Sequence, residues 1–324
     1  IWDSFRKVIE QAGKFHADLF LIAGDLFHRQ PLVKDLKKVN ALFSMIPDTK
    51  IVLIAGNHDY LRKDSPYRKF KWGKNVRGLW NQNISHVDFP ELGVRISGCS
   101  YGSREITRPV YDSLKKSGEM PVEILLAHGG DEKHIPISKE RLAASGFDYI
   151  ALGHIHKPQI LIKDRMIYAG ALEPIDKNDI GPHGFIKGEI RNGRVQTAFV
   201  SSALREYKNA EIIVTEATAQ HSLEQKIRDI IKSMGEENIY TLTIRGKRDP
   251  ESEFYLKSLY RAGNIRDIED KSRPSYSLEE LCSRYRGSLL EEYIRSFGEN
   301  PDEEEQKALY YGIGALLETG EEIL

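Results

Sequence analysis

Brief runs of consecutive apolar residues punctuate the first half of the chain, each short for a helix and rich in β-forming side chains. Asp18–Ala23, Ile51–Ala55, Val122–Ala127 and Tyr149–Leu152 read as buried strands. Between them lie more polar helical stretches such as Pro31–Ile46 and Ser138–Ser145, and Ile1–Ala12 is an amphipathic helix. This alternation predicts an α/β layered domain over residues 1–205. The C-terminal ends of these four strands are expected to gather at one edge of one sheet, where open α/β sheets bind ligands.

Past Gly153 the pattern changes to short strands and turns, at Gln159–Lys163, Met166–Ala169, Gly184–Ile190 and Arg194–Ser201. Asn192-Gly193 is a hairpin signal, and these strands are expected to form a second, antiparallel layer closing a sandwich. Residues 206–272 read as a small α+β domain of strand, helix, strand, helix, strand, with Ser222 and Gln225 as a capping box and a second helix over Glu251–Ala262. Residues 273–324 read as a helical tail with helix starts at Ser277, paired with Glu280, and at Asn300-Pro301, paired with Glu303.

Composition adds little for the whole chain and more locally. A formal net charge of −1 carries no sign of a polyanionic partner. Leu61–Gly78, by contrast, holds seven basic residues and one acidic, with three aromatics among them, while the last fifty residues hold twelve acidic against four basic. Cys99 and Cys282 match no metal spacing and fit a reducing, cytoplasmic setting. No apolar run approaches the roughly 18 residues of a membrane span, and no signal peptide is read. Ile1 in place of Met indicates a sequence that starts inside a longer chain.

The chemistry collects after the strands. Gly24-Asp25, Gly56-Asn57-His58-Asp59, Ala127-His128-Gly129-Gly130 and Gly153-His154-Ile155-His156 supply a carboxylate, an amide oxygen and imidazoles, a set suited to Mn, Fe or Zn. One carboxylate such as Asp25 can bridge two cations, and two such ions clamp a phosphoryl group and acidify water, which implies phosphoester hydrolysis. His58, beside Asn57, suits a general acid at the leaving oxygen, with Asp59 orienting it. His28 either lines the site or is structural; His16, His86, His134, His183 and His221 are read as structural, with His183 in a loop near the mouth. Gly129-Gly130 lacks the lysine and spacing of a nucleotide loop.

In this order and spacing the four motifs resemble the calcineurin-like metallophosphoesterase superfamily. Ala17–His28 and Phe147–His156 look most like its SbcD and YhaO group of DNA repair exonucleases. The resemblance covers residues 1–203 and implies a four-layer sandwich, two central mixed sheets flanked by helices, holding two divalent metals with Mn favoured. It implies that Asp25 bridges both metals, that Asn57, His128 and His154 complete one, that His156 serves the other, and that His58 is the acid. It also implies an Asp-X-His motif ahead of Ile1 with two more ligands, and an SMC-like ATPase as partner; a homodimer stays open.

The basic segment follows His58 directly, so Arg62, Lys63, Arg68, Lys69, Lys71 and Trp72 are candidates for gripping DNA phosphates and stacking on bases; the alternative is a solvated basic loop whose aromatics cover an apolar patch. Three functions remain at this stage: a DNA exonuclease or endonuclease of repair, a phosphodiesterase or phosphatase on a small molecule or phosphoprotein, and a non-catalytic DNA-binding subunit.

Overall fold

In the computed structural model, which describes residues 1–298 and 301–318, the apolar strands divide between two sheets instead of sharing one. The order begins α1 (Trp2–Lys14), β1 (Leu19–Ala23), α2 (Val33–Phe43), β2 (Lys50–Ile54), α3 (Pro66–Lys69), β3 (Val76–Gly78), β4 (Ser85–Phe89) and β5 (Val94–Gly98). It continues with β6 (Val122–His128), α4 (Lys139–Ala143), β7 (Tyr149–Gly153), β8 (Gln159–Ile162), β9 (Met166–Tyr168), β10 (Gly184–Arg191) and β11 (Arg194–Ser201). One sheet is β1-β2-β3, all parallel; the other is six-stranded, β4-β5-β6-β7-β9-β8, and mixed.

The physical reason for two sheets is that the apolar runs have two faces to bury. Val52 and Ile54 of β2 meet Ile124 and Leu126 of β6 and Ile96 of β5 in a core between the sheets. The alternate residues Ile51 and Leu53 pack outward under Ile9, Leu36, Val39 and Phe43 of α1 and α2. On the far side Leu125, Ile150 and Leu152 pack with Leu142 of α4 and with Tyr101 and Tyr111. Helix, sheet, sheet and helix thus stack as four layers. The strands after Gly153 depart from the expected second antiparallel layer: β9 joins β7 in parallel and β8 edges the same six-stranded sheet, so only β10 and β11 form a separate ribbon. That ribbon turns on Asn192 (φ 52°) and Gly193 (φ 72°), the backbone a two-residue hairpin needs.

The chain forms two compact units, 1–206 and 207 onward. The second holds β12 (Tyr207–Val214), α5 (Gln220–Met234), β13 (Ile239–Arg248), α6 (Leu256–Leu259), β14 (Ile265–Asp270) and β15 (Arg273–Pro274). The strands pair in parallel, and Ile227 and Ile231 of α5 cover Tyr240, Leu242 and Ile244 of β13. Helix α5 starts earlier than expected, at Gln220, because Thr218 closes the preceding turn by accepting from the Thr215 N–H at 2.9 Å. Ser222 therefore lies inside the first turn, and Gln225 donates to Asp229 at 2.9 Å instead. The second helix is shorter than expected because Gln220 clamps Tyr255: it accepts from the N–H at 3.0 Å and donates to the carbonyl at 3.3 Å.

Three helices follow, α7 (Leu278–Arg284), α8 (Leu289–Arg295) and α9 (Glu303–Glu318), around Leu290, Ile294, Leu309 and Ile313. Ser277 caps α7 by accepting from the Glu280 N–H at 3.3 Å, the start read from the sequence. The start expected at Asn300 lies outside the described residues. No helix among the described residues is long and apolar enough to cross a membrane.

Candidate metal centre

The C-terminal ends of β1, β2, β6 and β7 converge even though they belong to different sheets, because the inter-sheet core brings β1 against β6 and β7. Two glycines permit the approach. A Cβ on Gly153 would sit 1.9 Å from the Ala23 carbonyl oxygen, and one on Gly24 (φ 86°) would sit 2.4 Å from His128 Nδ1. His128 has the strand parity of Ile124 and Leu126, so its fully buried ring points between the sheets, where Nδ1–H donates to the Ala23 carbonyl at 2.7 Å. The His128 backbone is held in turn by Tyr111, whose hydroxyl accepts from the N–H at 3.2 Å, and by Tyr101, which donates to the carbonyl at 3.2 Å.

His128 Nε2 is then the nitrogen free to present a lone pair. It lies 2.9 Å from Asn57 Oδ1 and 3.3 Å from Asp25 Oδ2. His154 Nδ1 lies 3.1 Å from the same Asn57 oxygen, and ligand atoms of Asp25, His128 and His154 all fall within 4.8 Å of one another. Four groups whose shared property is an outward lone pair thus crowd one point, an arrangement that repels itself unless a proton or a cation sits in it. A divalent ion with mixed O and N ligands fits this donor set. Two of the residues hold left-handed backbone, Asp25 at φ 50° and His154 at φ 98°. The second is a costly conformation for a residue with a side chain and is common at functional sites.

The electrostatics agree. Burial pushes the Asp25 carboxyl up, but the His128 bond and charge and the His58 N–H, 2.8 Å from Oδ1, outweigh it and hold the acid below its ordinary value. Burial lowers His128 while the Asp25 bond and charge raise it further, leaving it above the ordinary imidazole value. For His154 burial prevails and the value is lowered.

His156 lies apart from this cluster of donors, half-exposed, with Nδ1 donating to Asp179 Oδ2 at 3.2 Å, which leaves Nε2 as its lone-pair nitrogen. His58 is partly buried and stacks on the exposed His28 with ring centroids 4.4 Å apart. Burial lowers the His58 pKa, opposed by the Asp25 charge and aided by His28, Arg104 and His128.

Asp59 departs from its expected part as the orienting partner of His58. Both of its oxygens are committed elsewhere: Oδ1 accepts from the Gly56 N–H at 2.7 Å, and Oδ2 from the Tyr67 hydroxyl at 2.6 Å and the Phe27 N–H at 3.2 Å. It braces the loops that carry Asp25 and Asn57. Trp72 also departs from its expected role at a DNA surface, since its ring packs on Phe43, Phe70 and Tyr67 at the core under α2. Hydrophobic burial claims Tyr67, Phe70 and Trp72, so the aromatics of the basic segment cover an apolar patch. Its cations Arg62, Lys63, Arg68, Lys69 and Lys71 are all exposed, and Arg62, Lys63 and Arg68 line an open groove of about 620 Å³ with Tyr60, Gln82 and Gly102.

Reading from the sequence missed Asp131, Tyr67 and Asp179, and took His134 as purely structural. Asp131 accepts from His154 Nε2–H at 2.7 Å and from His134 Nδ1–H at 2.9 Å. The one available signal was its place in the loop directly after His128. Tyr67 and Asp179 carried none, being distant in sequence from the groups they hold.

Comparison with known proteins points the same way. Residues 1–158 match the calcineurin-like phosphoesterase family. The chain is 28% identical over 245 residues to the uncharacterised metallophosphoesterase YhaO of Bacillus subtilis, covering 71% of this chain and 60% of that protein. It is 30% identical over 194 residues to the DNA double-strand break repair protein Mre11 of Methanocaldococcus jannaschii, covering 55% and 52%. To Mre11 of Archaeoglobus fulgidus it is 26% identical over 280 residues, covering 75% and 62%. The chain thus spans about half to three-fifths of the length of these relatives.

Proposed function

From the premise that this chain carries a calcineurin-like metallophosphoesterase domain, we propose that it is a metal-dependent nuclease of DNA repair, an exonuclease that also has scope for endonuclease cutting. The observation that carries the reading is the meeting of Asp25, Asn57, His128 and His154 at one point, with the exposed cations Arg62, Lys63, Arg68, Lys69 and Lys71 following Asn57 and His58 in the sequence. Asp25, Asn57, His128 and His154 would hold one divalent ion, and Asp25 with His156 would contribute to a second, with Mn favoured by the mixed oxygen and nitrogen donors. Such ions, when bound, polarise the phosphoryl group and acidify water.

The chain's own residues do the rest. Asp59 fixes the Gly56 and Phe27 backbone, and so the positions of Asn57 and Asp25. The His58 N–H holds Asp25 Oδ1, and the His58 ring, backed by His28, would give a proton to the departing oxygen. Arg62, Lys63, Arg68, Lys69 and Lys71 grip backbone phosphates by charge, without base stacking from Trp72. DNA as substrate is supported by the likeness to the two repair proteins and by this basic row. The same reading extends to a cytoplasmic nuclease that works with an SMC-like ATPase and is open to homodimer formation.

The test compares substrates. With Mn²⁺ the protein is expected to degrade linear DNA faster than it hydrolyses bis-p-nitrophenyl phosphate or a cyclic nucleotide. Strong hydrolysis of the small esters with none of DNA rejects the nuclease in favour of a small-molecule phosphodiesterase.

A further inference from the structure

We propose that Asp131 is a positioning residue for the metal centre: it holds the proton of His154 on Nε2, so that Nδ1 meets the cation as a bare lone pair. The inference rests on the reading of His154 as a ligand, given above. Its basis is geometric. An imidazole can present a lone pair from one nitrogen only if its proton sits on the other, and a carboxylate bonded to that other nitrogen selects the tautomer and fixes the ring plane. Asp131 Oδ2 is 2.7 Å from His154 Nε2, on the opposite side of the ring from Asn57.

Asp131 is itself held by three further donors. The N–H of Lys133 at 2.8 Å, the N–H of His134 at 3.0 Å and His134 Nδ1–H at 2.9 Å all reach Oδ1. The loop that carries it leaves β6 directly after His128 through Gly129 (φ 139°) and Gly130 (φ 132°), where a Cβ on Gly130 would meet the Tyr168 hydroxyl at 2.1 Å. The Tyr168 hydroxyl donates to the Gly129 carbonyl at 2.9 Å, and Ile135 N–H to the Ile106 carbonyl at 2.7 Å, so the loop is pinned at both ends. One strand end thus supplies the ligand His128 and, three residues on, the carboxylate that orients the ligand His154 of the neighbouring strand. The ring of His134 packs on that of His154 with centroids 4.5 Å apart and limits its rotation.

Asp131, His134 and His154 also have ligand atoms within 4.8 Å of one another, which would suit a separate cation. His154 cannot serve both sites with a single lone pair. The contact between Nδ1 and Asn57 commits that lone pair to the first and makes the second a proton-sharing chain.

The test reads the tautomer and the metal separately. Nitrogen-15 NMR of the metal-free protein should find His154 protonated on Nε2 in the wild type and mixed between tautomers in Asp131→Ala. Calorimetry should find Mn²⁺ bound about 10–100-fold more weakly by Asp131→Ala. Asp131→Asn can keep its one oxygen on the Lys133 and His134 N–H groups only by turning its NH2 towards His154 Nε2, so it should preserve the loop yet lose the Nε2–H tautomer and weaken Mn²⁺ as Asp131→Ala does, a loss that general damage to the loop does not explain. An unchanged tautomer in Asp131→Ala overturns the proposal. A changed tautomer with wild-type Mn²⁺ affinity overturns it too, and His154→Ala identifies the fault: if that variant also binds Mn²⁺ normally, His154 is not a ligand and the underlying assignment of the centre has failed.

Discussion

Asp59 carries a carboxyl that burial and then the Asp25 charge push up to about 6, against the pull of the Tyr67 hydroxyl and the Gly56 and Phe27 N–H groups. Such a group is costly to bury and is kept because three hydrogen bonds, from Gly56, Phe27 and Tyr67, offset the cost. Its neighbour His58 has the opposite character: partly open, stacked on His28, and bound to the centre through its backbone while its ring is left for chemistry. His58→Ala is therefore expected to cut DNA hydrolysis by about 10²–10⁴-fold, the usual worth of a positioned acid. Mn²⁺ content, measured by metal analysis of the same sample, should stay at the wild-type level. Loss of metal along with activity would move His58 into the ligand set.

At the scale of elements, α3 and its flanks separate charge from packing within one segment. Charge reversal at Arg68, Lys69 and Lys71 should weaken DNA binding and flatten its dependence on salt, since fewer counterions are released. Trp72→Ala should instead lower stability, by less than the about 3–5 kcal/mol of a wholly buried tryptophan because its ring is only partly enclosed. Urea unfolding and a salt series of binding curves distinguish the two.

Strand β6 opens on a second packed carboxylate, Glu123. It accepts from the Ser117 N–H at 2.7 Å, the Ser117 hydroxyl at 2.9 Å and the Glu119 N–H at 3.1 Å. Burial raises its pKa, but these bonds, led by the Ser117 N–H, take it below the ordinary 4.5. A value depressed on folding contributes stability that is complete above the unfolded value and is lost as pH falls through the folded one. Glu123→Gln should thus cost about 1–3 kcal/mol at pH 7, and the gap to wild type should narrow as pH falls below the ordinary 4.5 and close once the lowered folded value is passed, as read from urea midpoints across pH.

For the molecule as a whole, the proposed ligands all come from residues 1–206, so metal should stabilise that unit by linkage. At a free Mn²⁺ concentration 100 times its Kd the gain is about 2.7 kcal/mol. Amide exchange in β6 and β7 should slow accordingly on adding Mn²⁺ and recover with a chelator; no change in those strands would count against a metal held by His128 and His154. Much of this architecture could be read directly from the chain. The apolar runs marked the strands, and Asp25, Asn57, His128 and His154 could be singled out as candidate donors because each stands at or just past the end of such a run. Alternation along a strand says that two faces are apolar but not which neighbour covers each, so the division into two sheets followed from the family resemblance and not from the pattern itself. The same limit applied to side chains. Tyr67 and Trp72 stand in a basic segment where ring chemistry suits either a base or a core, and only packing against Phe43 and Asp59 decided. What local sequence determines is the set of strands and the donors at their ends, because periodicity and turn chemistry act between near neighbours. Which carboxylate braces a loop, which one turns an imidazole, and which aromatic is buried were decided by tertiary structure, because those choices depend on which loops meet after the sheets close on one another.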